Sequence, residues 1–343
     1  MKKVVKRLIW CILALIILLA AVCGGGIWYI LYKPNFKPSE RKFVYIYEDV
    51  KDFDALCQQL QDSAACIDVR SFRILADYRK YPANMKSGRY AVEPEMNNNT
   101  LINHLRLGQQ SPIRLIFNNI RLTTDLAERL SQQLMIDEDD LLALFADSLY
   151  CDSIGFTTAT IGAMFIPNTY EVYWNISPKK LFDRMKREYE TFWTAERRRK
   201  AENIRLNPVE IAVLASIVEE ETAAPDEYSR VAGLYINRLR KGMLLQADPT
   251  VKYALGDFSL RRILNEHLTV ESPYNTYLNP GLPPGPIRIP SPRSIDAVLN
   301  YEHHNYLYMC AKEDFSGRHN FAVTLAEHAR NADRYHAALN RLR

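Results

Sequence analysis

One segment of this 343-residue chain reads Asn207-Pro208-Val209-Glu210-Ile211-Ala212-Val213-Leu214-Ala215-Ser216-Ile217-Val218-Glu219-Glu220-Glu221-Thr222, and it predicts a helix with a sharply marked start. Asn207 can cap the helix, Pro208 suits the first helical position, and Glu210 completes a capping box. At about 100° per residue, the apolar stripe over positions 211, 214, 217 and 218 continues onto Glu221, whereas the two preceding glutamates point elsewhere.

The three consecutive glutamates are therefore not equivalent. A carboxyl group that lies against apolar side chains is harder to ionise, so its pKa rises. A raised pKa is what a general acid needs near neutral pH, and Glu221 is the candidate. The alternative is that the helix ends before Glu221 and that all three glutamates are solvated.

The sequence predicts an α+β fold with two regions after its N-terminal segment. Residues 33–120 form a linker and a small α+β module. The linker covers 33–42, the strands cover 43–47, 88–92 and 112–120, and the helices cover 53–60, 71–78 and 99–107. Residues 121–343 form a helix-rich α+β domain with helices over 123–135, 138–146, 178–200, 208–222 and 326–342. Residues 245–321 are dense in Pro, Gly, Asn and Tyr, which is typical of functional loops.

The N-terminus predicts a membrane anchor. Four basic residues within positions 1–7 precede the uncharged stretch from Leu8 to Tyr32, which is long enough to cross a bilayer. The basic flank places residues 1–7 in the cytoplasm and everything after the anchor on the far side. The alternatives are a cleaved signal peptide and a lipoprotein modified at Cys23.

Charge and cysteine content exclude several classes of protein. The net charge is +4 with nearly balanced acids and bases, so a general nucleic-acid binder is not indicated. No two cysteines have a metal-ligand or redox C-x-x-C spacing. Cys57, Cys66, Cys151 and Cys310 lie outside the anchor and fit either disulfides or buried thiols.

Beyond these patterns, the chain resembles the endolytic murein transglycosylase family, also called YceG-like. The resemblance rests on ordered blocks such as Gln246-Ala247-Asp248-Pro249-Thr250, Ser272-Pro273-Tyr274-Asn275-Thr276-Tyr277 and Gly317-Arg318-His319-Asn320-Phe321. Further blocks lie at 165–170, 215–223, 231–239, 242–253, 281–287, 306–308 and 324–328.

The resemblance implies one membrane helix, a LysM-like module beside the membrane and an extracytoplasmic catalytic domain. It implies cleavage of the bond from N-acetylmuramic acid to N-acetylglucosamine in peptidoglycan, with 1,6-anhydro ends and neither metal nor cofactor. The family's catalytic glutamate directly precedes a threonine, which corresponds to Glu221. The implied location is the bacterial inner membrane, and penicillin-binding proteins are implied partners.

A substrate groove around Glu221 is predicted to use polar hydrogen bonds and aromatic stacking. The candidates are Gln246, Asp248, Thr250, Tyr274, Asn275, Thr276 and His319. Helix capping by residues 248–250, turn formation by Asn275 and backbone hydrogen bonding by His319 are the alternatives. If Asp248 were a second catalytic carboxylate, the enzyme would be a hydrolytic muramidase.

Two departures from the family pattern stand out. Glu220 occupies a position where the family usually has Lys, so its charge is predicted to raise the pKa of Glu221 further. Arg288-Ile289-Pro290-Ser291 replaces the usual small residue followed by Asn-Pro-Gly, which puts sugar binding by that Asn in doubt.

Two rival functions remain. A single anchor with the sequons at 98–100 and 175–177 could describe a Golgi glycosyltransferase, but the ordered blocks argue against it. A non-catalytic murein-binding scaffold of a cell-wall synthesis complex is the other.

Overall fold

A computed structural model describes residues 2–260 and 262–341 of the chain and divides it into two compact units. The first comprises Met1–Arg114 and Glu171–Ile176, and the second comprises Leu115–Tyr170 and Ser177–Arg343. The mixture of long helices with short two-stranded sheets confirms the predicted α+β class.

The chain begins with a 31-residue helix, α1, at Lys2–Tyr32. Its apolar side chains are exposed along most of its length, from Val4 to Trp28. The helix is long and apolar enough to cross a membrane, which agrees with the predicted anchor.

The predicted linker at 33–42 is wrong in its first part. Pro34–Phe36 forms strand β1, which pairs antiparallel with β4 at Met96–Asn97, and Phe36 is completely buried. The end of α1 joins the same core, because Ile30 and Leu31 pack against it. Asn98 Nδ2 also donates to the Ile30 carbonyl at 2.9 Å. The buried side chains make this segment part of the first unit.

The rest of the first unit follows the predicted order of elements. β2 at Lys42–Ile46 pairs antiparallel with β3 at Gly88–Val92 over five residues. The helices are α2 at Phe53–Asp62, α3 at Val69–Tyr78 and α4 at Asn98–Leu107. Their apolar faces form one hydrophobic core with the strands. Cys57 and Cys66 are free thiols, and burial raises the pKa of each to about 11.

The second unit opens with short helices and with residues 115–117 and 168–170 of one small sheet. β5 at Ile113–Phe117 pairs with β6 at Asn168–Val172. α5, α6 and α7 lie at Thr123–Ser131, Glu138–Ala146 and Ser148–Ser153. The predicted helix 178–200 is divided into α8 at Pro178–Phe192 and α9 at Ala195–Ile204. The break occurs because Thr194 caps α9, its Oγ1 accepting from the Arg197 amide at 3.3 Å.

The predicted central helix is α10 at Pro208–Glu221. Asn207 Oδ1 accepts from the amides of residues 209 and 210, and Glu210 accepts from the Asn207 amide at 2.7 Å, so the capping box is present. All eight residues from Ile211 to Val218 are buried, not only one stripe. The reason is that α9, α11 (Tyr228–Arg240), α12 (Asp248–Leu255) and α13 (Pro292–Leu299) surround the helix.

The C-terminal part adds a hairpin and a last helix. β7 at Tyr308–Ala311 pairs antiparallel with β8 at His319–Ala322. α14 at Leu325–Arg341 packs on both strands. The helix predicted over 326–342 is confirmed except at its last position, which lies outside the described residues.

Candidate active site

Glu221 is the last residue of α10 and borders a pocket of about 270 Å³. Its Oε2 atom is buried and makes no hydrogen bond within the described part of the chain. The pocket collects side chains from α10, α11, α12, β7 and β8. Its lining comprises Glu221, Leu234, Tyr235, Arg238, Leu245, Gln246, Asp248, Tyr277, Met309, Cys310, Ala311 and His319.

The surroundings of Glu221 hold its carboxyl group in the protonated form to unusually high pH. Burial raises its pKa from 4.5 to about 7, and the negative charge of Asp248 acts in the same direction. The Tyr235 hydroxyl and the cationic side chains of Arg238 and Lys252 act in the opposite direction. At neutral pH a large fraction of Glu221 can therefore donate a proton.

Glu219 and Glu220 are directed into ion pairs and not towards this pocket. Glu220 accepts from Arg121 Nη2 at 2.9 and 3.0 Å and from Arg288 Nη1 at 2.8 Å. Glu219 accepts from the Ser291 amide and lies 3.4 Å from Arg288 Nη2.

The prediction that Glu220 raises the pKa of Glu221 is consequently wrong. Two guanidinium groups neutralise the Glu220 charge, and the acidic neighbour that acts on Glu221 is Asp248. Arg288, the other departure from the family pattern, is one of the two cations that balance Glu220.

Three predicted groove residues share the pocket with Glu221. Asp248 begins α12, and its Oδ1 accepts from the Tyr277 hydroxyl at 2.6 Å. Gln246 lies two residues before the start of α12 and has a positive φ, and its Oε1 lies 3.5 Å from Arg238 Nη1. His319 enters from the start of β8. Contact of these three residues with a sugar stays a prediction.

Three other predicted groove residues are buried outside the pocket lining. Thr250 Oγ1 lies 2.8 Å from Thr276 Oγ1, and Thr276 Oγ1 also accepts from the Ala247 amide at 3.0 Å. Asn275 Nδ2 donates to the carbonyls of Leu268 and Val270, both at 2.9 Å. The Thr276 bonds fasten the 272–277 loop to the start of α12, and the Asn275 bonds fasten it to the segment 268–270. Thr250 lies inside the first turn of α12, not at its cap.

Tyr274 borders a different pocket of about 300 Å³. Its ring lies 4.6 Å from that of Tyr253, and Arg121 and Arg288 line the same space. The structure therefore separates Tyr274 from the Glu221 pocket.

Sequence reasoning missed Tyr235, Arg238 and Tyr277, which all line the pocket. Tyr235 and Arg238 are three residues apart on α11, a spacing that places polar groups on one helix face and was the available signal. Arg238 is almost fully buried and donates to the carbonyls of Leu245 and Leu307 at 2.7 and 2.6 Å.

Glu227 is a further residue that the sequence analysis missed. It is only 4% exposed and accepts from both the His319 amide (3.1 Å) and His319 Nδ1 (3.0 Å). The Thr222 hydroxyl donates to the same carboxylate at 3.2 Å. Glu227 thus connects the residue after Glu221 to the histidine of the pocket.

The described residues also bear on metal binding. No group of three His, Cys, Asp or Glu side chains within them is arranged to hold a metal ion. The polar groups that line the Glu221 pocket include two carboxyl groups, an imidazole, a guanidinium, a thiol and two phenols.

Comparison of the chain with known proteins identifies its family. A profile of the YceG-like family matches residues 45–334. An endolytic murein transglycosylase of Bacillus subtilis (strain 168) is 40% identical over 130 residues, which are 38% of this chain and 35% of that protein. One from Streptococcus pneumoniae serotype 2 is 26% identical over 305 residues, covering 78% of this chain and 54% of that protein.

The chain thus spans about half or less of the length of these relatives. A crystal structure of a yceG-like protein from Listeria monocytogenes superimposes with a TM-score of 0.56 and 26% identity, covering 85% of this chain and 99% of that chain. Since the family profile matches most of the sequence, this chain belongs to the YceG-like family.

Proposed function

We propose that this chain is a membrane-anchored endolytic lytic transglycosylase that cleaves the N-acetylmuramic acid to N-acetylglucosamine bonds of peptidoglycan glycan strands. The observation that carries the proposal is Glu221, which is half-buried at the end of α10, has a buried Oε2 atom, lines a polar pocket and has a pKa of about 7. The names of the relatives, endolytic murein transglycosylase, support the same substrate and reaction.

In the proposed reaction, protonated Glu221 donates to the glycosidic oxygen as the bond to the sugar C1 breaks. The C6 hydroxyl of the same sugar attacks C1 and loses its proton, which produces a 1,6-anhydro end. Once Glu221 has given up its proton, its carboxylate is able to take up the hydroxyl proton. Water takes no part in this reaction, so an enclosed pocket favours ring closure over hydrolysis.

The remaining groove residues have proposed roles that follow from their positions. Gln246, Asp248 and His319 contact the sugar, because they line the Glu221 pocket. Thr250, Asn275 and Thr276 hold the loop that presents Tyr277 to Asp248. Tyr274 offers a stacking surface in the neighbouring pocket.

The proposed location is the inner membrane of a bacterium. α1 crosses it with residues 1–7 in the cytoplasm, because basic residues flank that end of the helix. The first unit then acts as a LysM-like glycan-binding module, and the catalytic unit works on the extracytoplasmic side. Penicillin-binding proteins that polymerise new strands are proposed partners.

A hydrolytic muramidase is the second candidate, because Asp248 provides a second carboxylate in the Glu221 pocket. Asp248 already accepts a short hydrogen bond from Tyr277, which favours a supporting role over direct activation of water. The end group of the product separates the two reactions, since a hydrolysed end is heavier than an anhydro end by one water.

The test uses the full chain in nanodiscs with uncross-linked glycan strands, and mass spectrometry identifies the fragment ends. Wild type should give anhydro ends, and Glu221→Gln should lower their rate at least about 100-fold while strands still bind. Glu190→Gln, at an exposed glutamate of α8, is the matched control. Normal anhydro-ended product from Glu221→Gln would refute the assignment, and full cell-wall phenotype without cleavage would favour a scaffold.

A further inference from the structure

Arg238 carries a buried positive charge that has no carboxylate partner. The side chain lies on α11, is 8% exposed and lines the Glu221 pocket. Arg288, which is also largely buried, pairs with Glu219 and Glu220. Within the described part of the chain, Arg238 forms no ion pair of this kind. A charge that is removed from water is costly unless it is paired, so the missing partner points to a ligand.

The Arg238 guanidinium keeps one nitrogen free for such a ligand. Its Nε atom donates to the Leu307 carbonyl at 2.6 Å, and Nη1 donates to the carbonyls of Leu245 and Leu244 at 2.7 and 3.3 Å. These bonds fix the plane of the guanidinium, whereas Nη2 makes no hydrogen bond to any residue that the structure describes. Because arginine does not lose its proton in proteins, both Nη2 hydrogens stay available as donors.

The other polar groups of the pocket do not neutralise this cation. Burial raises the pKa of Tyr235 and that of Tyr277, so both phenols stay uncharged near neutral pH. The Asp248 carboxylate accepts from the Tyr277 hydroxyl at 2.6 Å and forms no ion pair with Arg238. Since Asp248 lines the same pocket, it would repel a ligand that carries a full negative charge. A neutral ligand with a strong acceptor oxygen, such as an amide carbonyl, is therefore the best match.

The small size of the pocket limits which part of a glycan strand reaches Arg238. Arg238 shares a volume of about 270 Å³ with Glu221. In the proposed reaction the N-acetylmuramic acid ring lies against Glu221, because C1 and the C6 hydroxyl of that sugar react. Muramic acid differs from glucosamine by a lactyl ether on O3, which ends in an amide carbonyl where a peptide is attached. The sugar in the pocket thus carries a neutral acceptor that glucosamine lacks.

We propose that Arg238 Nη2 donates a hydrogen bond to the lactyl carbonyl of the N-acetylmuramic acid unit and so makes the enzyme selective for muramic acid. This inference rests on the proposed transglycosylase reaction and adds a specificity-determining residue to it. Glu221 gives one proton and takes up the other as before, and Arg238 takes no part in proton transfer. A strand without this carbonyl leaves Nη2 without its acceptor beside the bound sugar, which weakens binding of that strand.

The first test uses two matched strands, both prepared from uncross-linked glycan whose peptides have been removed. In one strand the lactyl carboxyl is coupled to methylamine, which keeps a neutral carbonyl, and in the other it is reduced to an alcohol. Full-length wild type in nanodiscs should cleave the amide strand with a kcat/KM at least about tenfold higher, because an alcohol oxygen is a weaker acceptor for a charged donor. Both strands keep the acetamido carbonyl, so equal values would overturn the proposal.

Arg238→Lys keeps the positive charge but loses the planar group that presents Nη2. It should lower the ratio of the two kcat/KM values, amide over alcohol, to about one. Both values come from one enzyme preparation, so a loss of folded enzyme lowers them equally and leaves the ratio unchanged. Arg240→Lys, at an exposed arginine of the same helix, is the matched control and should keep the wild-type ratio. A wild-type ratio in Arg238→Lys would overturn the proposal.

Photolabelling tests the contact even if Arg238→Lys does not fold. The probe is a peptide-free strand whose lactyl carboxyl is coupled to a short diazirine amine, bound to full-length Glu221→Gln and irradiated. Mass spectrometry should find the label within residues 234–246, which include Arg238 and its neighbours in the pocket wall. Absence of label from this segment would overturn the proposal. If the label appears there but wild type forms no anhydro ends, the proposed reaction fails while the Arg238 contact stands.

Discussion

Replacing Asp248 by Asn should lower the pKa of Glu221 and shift the activity profile towards acid. The carboxylate of Asp248 borders the same pocket as Glu221, and it is the second of the two causes that raise the Glu221 pKa. Asparagine keeps an oxygen that can accept from the Tyr277 hydroxyl, which lies 2.6 Å from Asp248 Oδ1. The substitution therefore removes the charge and preserves the hydrogen bond.

The size of the effect follows from the environment of Glu221. Its pKa of about 7, against 4.5 for the free side chain, corresponds to about 3 kcal/mol of resistance to ionisation. Burial is the larger cause, so Asp248 accounts for the smaller part, and we expect Asp248→Asn to bring the pKa to about 6. At pH 7 the protonated fraction would fall from about one half to about one tenth, a loss of about fivefold in rate.

The assay is kcat/KM for glycan cleavage from pH 5 to pH 9, because this ratio reports the pKa values of the free enzyme. The alkaline limb of Asp248→Asn should lie about one pH unit below that of wild type; the rates near pH 5, where Glu221 is protonated in both, measure separately any loss from the changed sugar contact of residue 248. Asp257→Asn, at an exposed acid just after α12, is the control and should leave the limb in place. If the alkaline limb of Asp248→Asn coincides with that of wild type or lies at higher pH, the Asp248 charge does not raise the pKa of Glu221.

Three further predictions concern stability. Since the folded chain keeps the Glu221 proton up to about pH 7 while the unfolded chain releases it near pH 4.5, stability from this group is full below pH 4.5 and is lost as pH rises to 7. Glu221→Gln should therefore be more stable than wild type by about 3 kcal/mol at pH 8, with little difference at pH 4, in urea titrations; an equal difference at both pH values would contradict this. Arg288→Met should destabilise the fold by about 2–3 kcal/mol, because Glu219 and Glu220 lose a largely buried partner, and adding Glu220→Gln should recover part of the loss. Gly233→Ala should cost about 1–3 kcal/mol in thermal unfolding, because a Cβ there would lie 2.4 Å from the Glu302 carbonyl oxygen, whereas Gly162→Ala, whose nearest contact is 3.8 Å, should be tolerated.

The sequence alone determined the features that depend on neighbouring residues. Three features follow from local sequence: the capping box at Asn207 and Glu210, the helix of membrane-spanning length, and the different direction of Glu221 from the two glutamates before it. Local signals failed where tertiary packing competes with them. The predicted helix 178–200 breaks at Thr194, and the predicted linker carries Phe36 into the core, because burial of one aromatic side chain outweighs the turn preference of nearby prolines.

Only the tertiary structure decided which charged and polar side chains pair with one another. Glu220 pairs with Arg121 and Arg288, which are 99 and 68 residues away in the sequence, and Glu227 pairs with His319, which is 92 residues away. The strength and even the sign of such effects depend on distances between atoms that no local pattern specifies. For that reason the sequence analysis expected the preceding residue, Glu220, to raise the pKa of Glu221, whereas the acidic neighbour that does so is Asp248, which the fold brings to the same pocket.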